Sequence, residues 1–169
     1  MVFNYLKEIR NLYETSSVLL EICFILGSNT CDMDSAVSAY LLSIGKNIKN
    51  NVIVLEKKGK PSINYESKIL YIPVLNLKRG TLSHRLDVKY VFDHYGIDEN
   101  DFWYITDDIF NQKTLFMHKN ISSKIIKTSI ILVDHTTLIE ELNYLNDYVF
   151  GIYDHHLLSN YNDQYKNLQ

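Results

Sequence analysis

An unbroken apolar run at residues 22–26, ended by Gly27, is the feature that most restricts the fold of this chain. The run does not alternate polar and apolar side chains, so it predicts a strand that is covered on both faces. A helix is predicted after it, because residues 36–44 carry a dense apolar face that stops near Gly45. Strands of this kind are typical of parallel sheets, whose crossover connections place helices on the faces.

Other segments continue this alternation along the chain. Strands are predicted at residues 51–55, 69–75, 102–105, 130–133 and 148–153. Helices or helical turns are predicted at residues 3–13, 86–95, 107–110 and 136–145. Pro73 lacks an N–H group, so it indicates an edge strand or an interrupted pairing. Strands that alternate with helices predict an α/β fold, a doubly wound and mainly parallel sheet flanked by helices.

Composition narrows the functional classes. The 169 residues fit one domain with a sizeable core, since 46% of them are apolar and 22% are charged. The net charge of -3 argues against binding through bulk positive charge, so no stable nucleic-acid partner is expected. The apolar stretch at residues 18–26 contains Glu21, is too short to span a membrane and follows no signal-type segment. Because Cys23 and Cys31 are predicted to be reduced thiols, a cytoplasmic protein is expected, with no membrane contact and with protein partners unknown.

Acidic and histidine residues follow three of the predicted strands. The three groups are Asp32 and Asp34 in the turn at residues 27–35 (the carboxylate turn), Asp134 and His135, and Asp154, His155 and His156. The carboxyl ends of parallel strands share one edge of a sheet, so these groups are expected to converge there. Carboxylates combined with imidazole suit divalent ions such as manganese and magnesium. Two such ions, roughly 3.5–4 Å apart in known sites, activate water and clamp phosphoryl oxygens, which predicts hydrolysis of phosphate esters or phosphoanhydrides.

Each group also has an ordinary structural interpretation. Asp32 alone fits an N-cap of the following helix, although capping does not account for Asp34 as well. Asp134 with the residues after it fits a helix N-terminus equally well. His155 and His156 are compatible with solvated surface histidines.

Sequence motifs extend the hypothesis. The segment LGSNTCDMDSAVSA at residues 26–39 resembles the first motif of the DHH phosphoesterase superfamily, in its exopolyphosphatase and prune branch. ILVDH at residues 131–135 resembles the second motif, and DHH at residues 154–156 resembles the triplet that names the superfamily. PVLN at residues 73–76, with Arg79 and Arg85, resembles the intervening segment. The likeness covers most of the chain and implies the fold of a DHH domain.

The resemblance also implies roles for individual residues. Asp32 would hold one metal ion, Asp34 the other, and Asp134 would bridge the two, with His155 as a further ligand of the second ion. The implied cofactors are two divalent ions, manganese first, with magnesium or cobalt as alternatives. The implied nucleophile is a water or hydroxide between the metals, and the implied substrate is inorganic polyphosphate or pyrophosphate.

Four further residues are assigned by the same resemblance. Asp154 and His156 are the catalytic candidates: Asp154 would lie at or just behind the metals and orient a histidine, and His156 would face the substrate phosphate. Arg79 and Arg85 join His156 as phosphate-binding candidates, because guanidinium groups suit phosphoryl oxygens.

Two departures from the family pattern leave alternatives open. Ser28 stands where this branch has asparagine and related pyrophosphatases have histidine, so either Asn29 serves instead or the first metal has fewer ligands. Family members also continue to a further metal-binding aspartate and a second domain, whereas this chain ends at Gln169. Residues 1–169 are therefore expected to be a single DHH-type domain without the C-terminal substrate domain. The alternative functions are an inactive metal- or phosphate-binding module and a phosphodiesterase acting on short oligonucleotides or cyclic nucleotides.

Overall fold

A computed structural model of the chain describes residues 4–15, 20–55, 61–67, 69–110 and 125–155. In chain order its helices and strands are α1 (Tyr5–Thr15), β1 (Leu20–Leu26), α2 (Met33–Lys49), β2 (Ile53–Val54), β3 (Ser62–Ile63), β4 (Ile69–Leu75), α3 (Leu86–His94), β5 (Trp103–Tyr104), β6 (Ile125–Val133) and β7 (Val149–Tyr153). Short 3₁₀ helices occupy Leu82–His84, Glu99–Asp101, Asp108–Phe110 and Glu140–Tyr148. None of the helices in these described ranges is long and apolar enough to cross a membrane.

Five strands form one sheet in the order β5-β4-β1-β6-β7. Every pair of neighbours in it is parallel. The sheet and its flanking helices confirm the predicted α/β fold. From β1 the chain adds β4 and β5 on one side and then β6 and β7 on the other. The strand order therefore reverses beside β1, which is where open α/β sheets bind ligands.

Side chains on both faces of β1 are buried, as the apolar run predicts. Phe24 faces the larger core, to which α1 contributes Leu6 and Ile9. Ile25 faces a smaller core formed with Ala39 of α2 and with residues of β6. Because both faces and both edges of β1 are covered, the strand is a rigid support for the turn that follows it.

Four predicted boundaries are wrong, and one belongs to the helical segment predicted at residues 136–145, which is a 3₁₀ helix at Glu140–Tyr148. α2 continues past Gly45 to Lys49, because no atom crowds Gly45 and the next turn carries the buried side chain of Asn47. The predicted strand at residues 51–55 shrinks to β2, which pairs antiparallel with β3 outside the main sheet. β6 begins at Ile125, five residues earlier than predicted, since its first half contains polar residues that hide the strand pattern.

Pro73 lies in an inner strand whose pairing with β1 continues through it without a shift, so the predicted edge strand or interrupted pairing does not describe β4. β5 pairs with β4 only at residues 74–75, so at Pro73 β4 has a paired neighbour on one side. Tyr71 lies two residues before Pro73, and its N–H faces away from β1. The Pro73 nitrogen therefore lies on the side where β5 has not yet begun, and its missing donor breaks no ladder.

Asn47 completes the hydrogen bonds of β4 where β5 is absent. Its Oδ1 accepts the Tyr71 N–H at 3.0 Å, and its Nδ2 donates to the Tyr71 carbonyl at 2.7 Å. The same Nδ2 donates to the Tyr5 hydroxyl at 2.7 Å, and that hydroxyl donates to Ser43 at 2.9 Å. One fully buried amide thus joins α1, α2 and β4.

Replacing Asn47 by Ala is expected to lower the free energy of unfolding by about 2–4 kcal/mol, because the Tyr71 N–H loses its partner and the Tyr71 carbonyl keeps only the 3.4 Å contact with the Tyr5 hydroxyl. Leu41→Ala on the same helix is the matched control, since Leu41 is 58% exposed and its loss should cost about 0.5 kcal/mol or less. Urea denaturation of both variants measures the difference. Equal unfolding midpoints would show that the amide contributes little.

Candidate metal centre

Three of the predicted ligand residues meet at the carboxyl edge of the sheet. Asp34 lies in the first turn of α2, Asp134 follows β6 and His155 follows β7. His155 Nε2 is 3.1 Å from Asp134 Oδ1 and 3.6 Å from Asp34 Oδ2. One ligand atom from each residue lies within 4.8 Å of the other two. These residues form the acid–histidine cluster, and their convergence depends on the parallel pairing of β1, β6 and β7.

Asp134 is the most buried member of the acid–histidine cluster, with 8% of its surface exposed. Its backbone has φ of +66°, a left-handed conformation that aspartate tolerates better than most residues. Its N–H donates to the Tyr153 carbonyl at 2.8 Å, which extends the β6–β7 pairing by one residue. The main chain and the side-chain contact with His155 therefore both fix this carboxylate.

Asp32 is an N-cap, as its structural interpretation predicts, but capping uses only one of its oxygens. Oδ1 accepts the Ser35 N–H at 3.3 Å, which is the cap of α2. Oδ2 accepts the Thr30 hydroxyl at 3.0 Å. Thr30 Oγ1 in turn lies 2.7 Å from Ser28 Oγ. Ser28 thus reaches Asp32 through Thr30, whereas the Asn29 side chain is exposed to solvent.

The two carboxylates of the carboxylate turn lie next to each other. The hydrogen bond with Asp32 is the largest cause that lowers the pKa of Asp34 below its ordinary value. Burial opposes this shift, and the N–H groups at the start of α2 and the His155 ring reinforce it. Asp32, Asp34 and the His155 ring, three groups that favour a cation or a shared proton, are therefore concentrated in one place.

His135 is a further polar group beside the acid–histidine cluster, with no role assigned from the sequence. Its Nδ1 donates to the Val133 carbonyl at 2.9 Å, so the neutral ring presents an unprotonated Nε2. That Nε2 is buried and has no hydrogen-bond partner among the described residues. Burial is the main cause that lowers the pKa of His135, against the opposing charges of Asp154 and Asp134.

The remaining predicted site residues occupy different places. Arg79 Nε and Nη2 donate to Asp107 at 2.9 and 2.7 Å, and Arg79 lines a separate cavity at the β5 edge. Arg85 borders the carboxylate turn, because its charge acts on Cys31 in that turn. Burial raises the pKa of the Cys31 thiol to about 11, and the positive charge of Arg85 opposes that rise. Asp154 lines the same cavity as the acid–histidine cluster. His156 lies outside the described residues.

A cavity of about 530 Å³ opens beside the acid–histidine cluster. Its polar lining residues are Asp34, Ser38, Asp134, Asp154 and His155. Its other lining residues, here named the apolar wall, are Leu42, Val133, Ile152 and Tyr153. Lys46 Nζ lies 3.2 Å from the Tyr153 hydroxyl and restrains that ring. The apolar wall could not be found from the sequence, because Leu42 and Tyr153 become neighbours only when α2 packs beside β7.

The donor set suits a hard or borderline divalent cation. Carboxylate oxygens and one imidazole nitrogen are the ligands that manganese and magnesium accept, and the cluster lies at the edge where α/β sheets bind ligands. Both cysteines of the chain are free thiols, as predicted, and neither belongs to the cluster. A comparison of the sequence with models of known protein families finds no match.

Gly27 holds the carboxylate turn against the start of α2. Replacing it by Ala would place a Cβ 2.5 Å from Ser35 Oγ, and this is expected to cost about 1–3 kcal/mol of unfolding free energy. Gly45→Ala is the control, because Gly45 lies inside α2 and a Cβ added there would meet no atom within 4 Å. That change should stabilise the protein by about 0.5–1 kcal/mol. Thermal unfolding measures both changes, and a G27A protein as stable as G45A would contradict the close contact.

Proposed function

We propose that this protein is a divalent-metal-dependent phosphohydrolase that cleaves phosphoanhydride bonds of inorganic polyphosphate or pyrophosphate. The observation that carries the proposal is the convergence of Asp34, Asp134 and His155 within 4.8 Å at the strand-order reversal. These residues come from three separate strand ends, and local capping or solvation gives no reason for them to meet. The resemblance to the DHH superfamily supports the same assignment.

Charge is the physical reason to expect cations here. Asp32 and Asp34 lie in contact, and Asp134 is nearly buried on the other side of His155. Unscreened carboxylates repel one another, and burial makes the repulsion stronger. Asp34, Asp134 and His155 would hold one cation, and Asp32 would hold another with the help of Asp134. When bound, two cations supply an activated water and positive charge at the phosphoryl oxygens.

The chain's own residues have distinct tasks in this proposal. Asp134 is fixed by its main-chain bond to Tyr153, so it keeps its place between the other ligands. His135 and Asp154 border the cluster, and the resemblance assigns to Asp154 the orientation of a histidine. Arg85 borders the carboxylate turn and is the better-placed arginine for a phosphoryl oxygen, because its ion pair with Asp87 is long, at 3.7 Å, whereas Arg79 forms a bidentate pair with Asp107.

Asp34→Asn and Asp134→Asn are each expected to reduce manganese-dependent phosphate release from polyphosphate about 100-fold or more, since even partners outside the ligand shell cost 10–100-fold. Asp93→Asn is the control, because Asp93 is an exposed acid paired with Lys89 on α3. Phosphate release is measured with manganese and then with excess chelator. Unchanged activity in both cluster variants would overturn the proposal, and tight manganese binding without any turnover would identify a metal-binding module instead.

The apolar wall of the cavity favours a second candidate function, hydrolysis of phosphodiesters such as short oligonucleotides or cyclic nucleotides. An inorganic polyphosphate offers no apolar surface, whereas an organic ring could pack on Leu42 and Tyr153. Tyr153 is 49% exposed, and Lys46 Nζ lies over its ring at 5.5 Å from the centroid, so a base would stack on the part of the ring that Lys46 leaves open.

Under this second candidate, Tyr153→Ala should lower kcat/KM for a dinucleotide about tenfold, because base stacking on an aromatic ring contributes about 1–3 kcal/mol. The same change should leave pyrophosphate hydrolysis within about twofold, since pyrophosphate carries no ring to stack. Tyr90→Ala, an exposed tyrosine on α3, is the matched control. Equal effects of Tyr153→Ala on both substrates would remove the reason for this candidate.

A further inference from the structure

A chain of hydroxyl groups leads from the interior to Asp32. Thr30 Oγ1 donates to Asp32 Oδ2 at 3.0 Å, and Ser28 Oγ lies 2.7 Å from Thr30 Oγ1. Threonine has one hydroxyl proton, and Thr30 donates it to Asp32. The Ser28 proton must then point at Thr30. The direction of the chain is thus fixed as Ser28 to Thr30 to Asp32.

The far end of this chain is anchored in the fold. Ser28 is 7% exposed, and its N–H donates to the fully buried Ser35 hydroxyl at 2.6 Å. Asn76 Nδ2, at the end of β4, donates to the Gly27 carbonyl at 3.1 Å. The position of the Thr30 hydroxyl is therefore set by β1, β4 and the start of α2 together.

Capping of α2 does not require this chain. The cap is the bond from the Ser35 N–H to Asp32 Oδ1, and Thr30 contacts the other oxygen. With Oδ1 held by the cap, the bond from Thr30 to Oδ2 is the second contact that limits rotation of the Asp32 carboxylate. Donors behind a ligand carboxylate commonly orient it and adjust its affinity for metal.

We propose that Thr30 is a positioning residue for the metal ligand Asp32, with Ser28 behind it taking the place of a direct side-chain ligand. This inference rests on the proposed function, because it requires Asp32 to bind a cation. It assigns to the hydroxyl of Thr30 a role in metal affinity that is separate from helix stability. It also explains how a serine can follow Gly27 in a metal-binding turn.

Manganese titration calorimetry on the full chain tests the proposal, with Thr30→Val, Thr30→Ser and Ser28→Ala compared with the unmodified protein. Thr30→Val keeps the shape but removes the donor, so one manganese site should weaken about tenfold. Thr30→Ser keeps the hydroxyl and should restore the affinity. Ser28→Ala leaves the Thr30 donor in place and should weaken the same site about threefold or less.

Thermal unfolding without metal is measured in parallel, because a purely structural role would appear there. Weakening of one site in Thr30→Val, rescue by Thr30→Ser and unchanged unfolding support the proposal. Equal manganese affinity in Thr30→Val and the unmodified protein overturns the proposal. A Thr30→Val protein that unfolds at a lower temperature and binds manganese more weakly at every site also overturns it. Absence of manganese binding in the unmodified protein overturns it too. Because binding is measured and not turnover, a protein that binds manganese but releases no phosphate contradicts the proposed function alone.

Discussion

Parallel pairing of β1 with β4 on one edge and β6 on the other is the constraint on which the rest of the structure depends. It places β1 at the centre of the sheet, and the strand order reverses beside it. The turn after β1 therefore opens at the edge where β6 and β7 also end. Asp34 and His155 are more than a hundred residues apart along the chain. Without the parallel pairing, these two residues and Asp134 would have no reason to meet.

The carboxylate turn combines a helix cap with the carboxylates that are proposed to bind a cation. Asp32 caps α2 with one oxygen and receives a hydroxyl with the other. Gly27 lets Ser35 approach the backbone, and Ser35 accepts the N–H of Ser28. The structural and functional interpretations of Asp32 are thus compatible, because a carboxylate has lone pairs for a cap, a positioning donor and a cation.

The fold could be predicted largely from local pattern, and the errors have identifiable causes. The apolar run of β1 and the apolar face of α2 can be recognised directly in the sequence. The position of β2 is not visible in the same way, because its apolar residues fit a strand of the main sheet as well as the antiparallel pair that it forms with β3 outside that sheet. The first half of β6 was missed because polar residues such as Lys127 interrupt the run, although they lie on a strand. Gly45 was taken as a helix end, but a glycine with open space around it does not stop a helix.

The kinds of groups at the site and the strand ends that carry them follow from the sequence, because strand, turn and acid are adjacent along the chain. Which of those groups touch depends on the tertiary structure. It paired Arg79 with Asp107 at the far edge, brought Arg85 beside the carboxylate turn and joined Ser28 to Asp32 through Thr30. It also formed the apolar wall from Leu42 and Tyr153. The physical reason is that side-chain contacts depend on strand order and helix packing, which are set by the whole core and not by any one motif.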